Sequence, residues 1–464
     1  MSVCHISPVL LSATALLSAA LPSAPVAAQS NTADIEKRLS AMEAEIDRLK
    51  ADLAAARAAA IPAVAAAPVA EPALETRVAV LEEKAAKPPA DGFKSGSMTL
   101  KIGGYVKLWS AVSRYSAGTT NPGQLLSDFY LPQQIPVGGE ATTHTNMHVK
   151  ESRFSLTGSK PVGERTVGVY AEIDFLTAQG TQGSERTTNG YNPALRRAFF
   201  TLTGKSGQLL IGQEWTTFQN VGALPETTDF VGPTEGSTFG RQPMLRYTAY
   251  LSPKVQLAVA LENSESATIS PASAALVEND DDRLPDLTTK LTLKPGKAEL
   301  TLAGVLHEVR VVNDAGDSDN KLGFGLSGAG KIAFGPDGRH DVRFMLSYGQ
   351  GIGHYLGLNF GPDAVLVGTD LSTVGVIAGF ASIKFGWTPT VRSTFMASFQ
   401  DVDYPDVLVP LAANKSAWSV AGNLFWSPLK AFDLGIEYRH GEREIVSGAK
   451  GKLDRLELAA KYSF

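Results

Sequence analysis

The sequence predicts an all-β transmembrane β-barrel of about 16 antiparallel strands, preceded by an N-terminal α-helical coiled-coil extension. Three observations lead there. The chain closes on a strand in which Leu456, Leu458, Ala460, Tyr462 and Phe464 share one face and Arg455, Glu457, Ala459, Lys461 and Ser463 the other, since successive strand side chains point to opposite faces. The one cysteine, Cys4, falls in a leader segment, so the exported part has no thiol and no disulfide. A closed barrel is stable without them, because every backbone group is paired within the membrane. Finally, segments of about ten residues that alternate apolar and polar side chains recur from about Met98 to the end, which is the barrel signature.

The leader is read from its apolar run. Val9 to Leu21 is too short to cross a bilayer as a helix. Val26-Ala27-Ala28 follows as a small-residue cleavage pattern, so residues 1–28 read as a signal peptide, although no Lys or Arg precedes Pro8. Next, Ile35, Leu39, Met42, Ile46, Leu49 and Leu53 are spaced 4, 3, 4, 3, 4, a heptad stripe. Residues 29–60 are therefore expected to form a periplasmic coiled coil. At fewer than three heptads it would be marginal alone. Residues 61–97 read as an Ala/Pro-rich linker with a short second stripe at Leu74, Val78 and Leu81. The barrel domain is expected over 98–464.

Within it, Leu100, Ile102, Val106 and Leu108 alternate with Lys101, Tyr105, Lys107 and Trp109, and Phe432, Leu434, Ile436 and Tyr438 with Asp433, Glu437 and Arg439. Tight joins are expected at 204–207, 252–254, 295–297, 336–338 and 427–429, and long loops at 115–147, 178–192, 264–286 and 403–415. Short turns belong to the periplasmic side and long loops to the outside. Roughly seventeen strand candidates are found, with 353–360 the weakest; both ends on one side require an even number, hence 16.

Phe218–Gln242 is long, rich in Gly and Pro, and lacks alternation. A wide pore needs an obstruction, so this segment is expected to fold into the lumen as a constriction loop carrying Phe218, Pro225, Glu226, Asp229, Pro233 and Glu235. Although the net charge is −5, alternation places Lys101, Lys107, Arg153, Arg197, Arg246, Lys290, Lys294, Lys331, Arg343, Lys384, Arg392, Arg455 and Lys461 on the lumen side. The inward acids read as fewer: Glu172, Asp174, Glu214, Glu299, Asp433, Glu437 and Glu457. Rings of Arg and Lys favour anions in pores, and a basic channel concentrates them. The competing reading is that these cations pair with acids to brace the wall.

The acidic balance gives no reason to expect nucleic acid. No catalytic set, no metal site and no cofactor are expected. His144 and His148 lie beside a long loop without a carboxylate partner in evidence, and Ser152 near His148 is a weak hint of a hydrolase. Loop acids at Asp280–Asp282 and at Asp314, Asp317 and Asp319 would touch cations bridging lipopolysaccharide or simply face water.

The chain also resembles the DcaP-like outer-membrane porins. The resemblance rests on Ile102-Gly103-Gly104-Tyr105-Val106-Lys107, Asp128-Phe129-Tyr130-Leu131-Pro132 and Ile135-Pro136-Val137-Gly138-Gly139. It is strongest in Leu209–Phe218, runs on through Val221–Thr227 and Phe230–Gly236, and ends with Arg241-Gln242-Pro243 and Arg246-Tyr247. It is dense between about 100 and 262 and sparse after that. It implies a homotrimeric porin with a periplasmic coiled coil, embedded among outer-membrane lipid and lipopolysaccharide, passing small anionic solutes such as dicarboxylates. By the same resemblance, Lys107, Arg153, Arg241 and Arg246 match pore-lining positions. The alternative is a structural anchor whose coil binds peptidoglycan or a periplasmic partner.

Overall fold

The computed structural model describes residues 92–464 apart from 121–122, 178–188, 280 and 314–315, and upstream only positions 40, 44, 47, 48 and 51. Those five are helical and exposed. The signal peptide, the heptad stripe and residues 61–91 of the linker expected from the sequence lie outside the described residues; the end of that linker holds the short strand Phe93–Ser95.

Sixteen antiparallel strands close into a barrel. They are β1 Met98–Tyr115, β2 in two segments, Thr142–His148 and Arg153–Val162, β3 Arg165–Asp174, β4 Ala194–Thr203, β5 Gly207–Trp215, β6 Arg241–Ser252, β7 Val255–Glu262 and β8 Asp286–Leu293. There follow β9 Ala298–Val312, β10 Ser318–Phe334, β11 His340–Gln350, β12 Gly375–Gly386, β13 Val391–Asp403, β14 Asn414–Leu429, β15 Phe432–Ile445 and β16 Lys450–Ser463. Each pairs with its chain neighbours, and β16 pairs with β1 from Tyr105↔Ser463 to Tyr115↔Leu453. Closure removes the exposed edge that an open sheet would leave. The last residue completes it: Phe464 N–H donates to the Gly104 carbonyl (3.1 Å), and Gly104 N–H donates to the Phe464 carbonyl (3.2 Å).

The alternation sends Ile102, Val106, Leu108, Leu302, Leu326, Leu458 and Tyr462 to the exposed face. In water such a continuous apolar band would drive aggregation, whereas against lipid it is what holds the barrel in place. The weakest strand candidate, 353–360, belongs to the loop 351–374, where Gly353–Tyr355 forms one short 3-10 turn. The join expected at 427–429 is corrected. Ser427 and Pro428 form an irregularity inside β14, and the turn falls at 430–431.

Among the described residues, three loops turn inward. The first (116–141) and the inner loop (216–240) share a buried cluster of Tyr115, Leu126, Phe129, Tyr130, Leu131, Ile135, Val231 and Phe239. The loop 351–374 buries Ile352, Tyr355, Leu356 and Phe360 against Phe218 and the wall residues Ala303, Val305, Val376, Ala378 and Ala417. The patch of wall behind loop 351–374 is thus lined with small apolar side chains, since it faces protein and not water. Loop 351–374 also joins loop 263–285 in a four-stranded sheet built from Ala267–Ser270, Ser273–Glu278, Ala364–Val367 and Asp370–Thr373.

Candidate channel constriction

The inner loop leaves β5 at Trp215 and travels along the wall, gripped strand by strand. Glu262 on β7 accepts from Thr216 Oγ1 (2.5 Å) and Thr217 N–H (2.7 Å). Lys290 on β8 donates to the Gln219 carbonyl (2.8 Å), and Asn220 donates to Thr301 Oγ1 on β9 (3.1 Å). Arg343 on β11 donates to the Leu224 carbonyl. Arg392 on β13 pairs with Glu226, and Asn423 on β14 donates to the Glu226 carbonyl (2.8 Å). Glu437 on β15 accepts from Thr228 N–H (3.1 Å), and Glu457 on β16 from Thr228 Oγ1 (2.5 Å). A loop buried inside a barrel must have its backbone groups satisfied by something other than water, and these wall side chains do that.

The loop then doubles back. Asp229 accepts from Gly232 N–H (2.8 Å) and from Tyr130 N–H of the first loop (3.3 Å). Ser398 Oγ donates to Glu235 Oε1 (2.8 Å). Gly236 lies flat on β12: a Cβ there would stand 2.3 Å from the Gly379 carbonyl oxygen. Burial pushes the Glu235 carboxyl above its ordinary value, opposed by the Ser419 hydroxyl and the Arg439 charge.

Strands β2, β4 and β6 carry an arginine cluster. Arg153 lies over the rings of Tyr105 (5.4 Å) and Phe230 (5.8 Å), Arg196 over Phe230 (4.7 Å) and Trp215 (5.9 Å), and Arg241 over Trp215 (5.2 Å). Phe230 thus ties the inner loop to the cluster through cation–π contacts. Arg196 donates to Glu172 (2.8 Å) and to Asp174, and Arg197 holds Glu214 with both arms (2.7 and 2.5 Å). The acids are hidden: their side chains are 6%, 0% and 9% exposed for Glu172, Asp174 and Glu214. Arg153 and Arg197, at 21% and 23%, stand in front of them. Among the described residues the Arg241 guanidinium makes no hydrogen bond or ion pair, only its stacking on Trp215. Toward the short-turn end, a cavity of about 260 Å³ is lined by Arg246, Lys290 and Lys294 with Gln208, Thr248 and Glu299.

The sequence matches the DcaP outer membrane protein family over residues 132–464, a stretch that contains the whole inner loop and every arginine of the cluster. The chain belongs to the DcaP outer membrane protein family. Among solved structures it is similar to the outer membrane channel DcaP of Acinetobacter baumannii, with a TM-score of 0.67 and 25% identity over 81% of this chain and 100% of that one. It is also similar in fold to an anion-selective porin from Comamonas acidovorans, with a TM-score of 0.50 and 10% identity over 79% of this chain and 100% of that one. No curated protein matches it. This DcaP-family chain therefore has the fold of an outer-membrane porin, and its family is one of the bacterial outer membrane.

The residues expected in the DcaP-family pore separate into groups. Arg153, Arg197 and Arg241 meet in the cluster. Arg246 stands at the root of the inner loop, donating to Thr217 Oγ1 (2.8 Å) and to the Trp215 carbonyl. Arg343 and Arg392 grip the loop. Lys107 is buried and bound to Glu151. Lys101 is exposed near the short-turn end, beside the small strand Phe93–Ser95. Of the expected loop residues, Phe218, Pro225, Asp229, Pro233 and Glu235 are buried and Glu226 half-buried.

Sequence reasoning missed Arg196. The pairing of β3 with β4 shifts register between Glu172 and Ile173, so Arg196 and Arg197 both meet inward acids although neighbours in a regular strand face opposite ways. It also undercounted the inward acids: Glu151, Glu262, Asp286 and Asp341 are all buried. The interior is less uniformly basic than alternation implied, and its cationic character is local. His148 stacks on Trp109 (4.8 Å) with its Nε2 3.0 Å from the Asp128 carbonyl, and Ser152 Oγ accepts from Lys107 N–H (3.0 Å).

Proposed function

We propose that the protein is a passive porin channel that prefers small anions and accepts dicarboxylates, working as a homotrimer with its N-terminal coil in the periplasm behind a cleaved signal peptide. One observation supports this above the rest: where the inner loop faces β1 to β6, the acids lie beneath and the guanidinium groups in front. A passing solute meets Arg153, Arg197 and Arg241. A guanidinium matches a carboxylate in two parallel hydrogen bonds, and a solute with two carboxylates can hold two neighbouring arginines at once. Partial solvation keeps each contact modest, so the solute is released.

Planar-bilayer recording across a salt gradient tests this reading. A reversal potential on the anion side, reduced in Arg241→Gln, is the expected result; cation preference in the native channel contradicts it. A second reading, a structural anchor with a filled barrel, draws on the loops 116–141 and 351–374 folded into the lumen. It predicts no measurable conductance.

A further inference from the structure

At the long-loop end of the barrel, away from the arginine cluster, three side chains from distant parts of the chain converge. Asp286 begins β8, His307 lies opposite it on β9, and His354 comes from the loop 351–374. Each offers a ligating atom, and these atoms all lie within 4.8 Å of one another. The imidazole rings are 4.8 Å apart between centroids.

Each histidine is anchored at one nitrogen only. His307 Nδ1 meets Asp286 Oδ1 (2.7 Å), and His354 Nδ1 meets Asp363 Oδ1 (2.9 Å). A carboxylate accepts, so Nδ1 carries the proton in both rings and the Nε2 lone pair is left. Both Nε2 atoms are buried with no hydrogen-bond partner, and His307 is 1% exposed. The carboxylate–histidine arrangement is the one that orients imidazoles on metal ions. If the two pairs were only clips, one within the wall and one within the loop, two adjacent rings would each leave a buried polar atom unmet, at a cost for each. Asp282 Oδ2 is a further buried oxygen without a partner, within electrostatic reach of both rings and of Asp286.

We infer that the Nε2 atoms of His307 and His354, with the free Asp282 oxygen, form a binding site for a divalent transition-metal ion of the Zn²⁺ class, with water as a fourth ligand and with Asp286 and Asp363 orienting the two rings. Two imidazole nitrogens and a carboxylate oxygen are a donor set that suits Zn²⁺ and not Mg²⁺ or Ca²⁺. Tetrahedral ligands at about 2.0–2.2 Å from the ion stand roughly 3.3 Å apart, so binding would draw the two imidazoles together. The ion would tie the wall to loop 351–374. Tyr355, next to His354, donates to Asp286 (2.5 Å), and its carbonyl accepts from Phe239 N–H of the inner loop (2.9 Å).

The test is calorimetric titration of the untagged, chelator-treated full chain in detergent with Zn²⁺, followed by Co²⁺ as a spectroscopic probe of coordination. One saturable ion per chain, with a four-coordinate Co²⁺ spectrum, is expected. His307→Ala and His354→Ala should each weaken binding at least tenfold, while His340→Ala, at the opposite end of the barrel, leaves it unchanged. Heat-modifiable migration on gels verifies that each variant barrel is closed. Absence of saturable binding in the native chain overturns the inference and leaves two water-bridged His–Asp clips. Binding that survives both substitutions in folded barrels overturns it equally.

Discussion

Arg392 on β13 and Glu226 on the inner loop meet side by side, Nε to Oε2 and Nη2 to Oε1, both at 2.7 Å, across 166 residues of chain. The guanidinium also reaches Asp433 (3.1 Å) and Ser427 Oγ (2.6 Å). The residue that alternation assigned to the anion path is thus a latch on the loop that shapes it. Both side chains are partly exposed, so the pair should contribute about 1–2 kcal/mol to docking, toward the lower end for charge-assisted bonds. Glu226→Gln should raise the undocked fraction of the loop roughly tenfold, about the factor for 1.4 kcal/mol. Single-channel recordings should show this as added current noise. A channel as quiet as the native one would show that the other tethers suffice.

Arg241 and Arg246 should behave differently although five residues separate them. Arg241 holds nothing but the face of Trp215. Arg241→Gln should shift the reversal potential toward cations and slow uptake of a succinate-like dianion more than that of a neutral sugar, with thermal stability unchanged. Arg246→Gln removes two donors from the root of the inner loop and should lower stability as well. Equal stability loss in both variants would count against this division.

The Glu235 carboxyl gives the inner loop a pH response. Its folded value is raised, first of all by burial. A raised acid is stabilised in its protonated form, so its contribution is fully present below the ordinary value of 4.5 and is lost as pH rises through the folded value. Protection of residues 228–240 against hydrogen exchange should therefore decline as pH climbs from about 4.5, and Glu235→Gln should flatten the decline. Protection that grows with pH over that window contradicts the assignment.

Phe464 donates and accepts one backbone hydrogen bond each with Gly104, and its ring lies 6.1 Å from that of Phe154. Deleting it opens the seam where β16 meets β1. The yield of assembled, heat-modifiable barrel should fall severalfold while export continues. Normal assembly would mean that the β1–β16 ladder closes without its last residue.

Removing residues 30–90 should leave trimeric barrels, since fewer than three heptads of coil are weak alone. A truncated protein that migrates as a monomer in mild detergent would make the coil the principal trimer contact.

The barrel was legible because period-two alternation depends only on neighbours along the chain. Val106 and Leu108 declare their face without knowledge of any partner. The inner loop was legible from its lack of that period. What stayed hidden depends on breaks in period or on distant pairing. Arg196 turns inward only because of a register shift. Glu151 reaches Lys107 only because β2 is interrupted at 149–152. His307 and His354 are 47 positions apart and meet because loop 351–374 folds back over β9. The grip of Arg343 and Arg392 on the inner loop was missed for a similar reason: alternation gives the side of the wall, and only the folded loop shows what the side chain finds there.

The strand-by-strand grip on the inner loop divides the interior by its tolerance of change. From β7 to β16, wall side chains such as Glu262, Lys290, Asn423 and Glu437 are committed to loop atoms, so replacing one disturbs the obstruction itself. From β1 to β6, Arg153 and Arg241 hold aromatic rings, and Arg153 also the acids beneath it, with no tie from either to a loop backbone group. Drift in solute preference among descendants of this barrel has a free hand in that arc and almost none elsewhere, so new specificities should accumulate on one side of the mouth while the other side stays fixed by its own architecture.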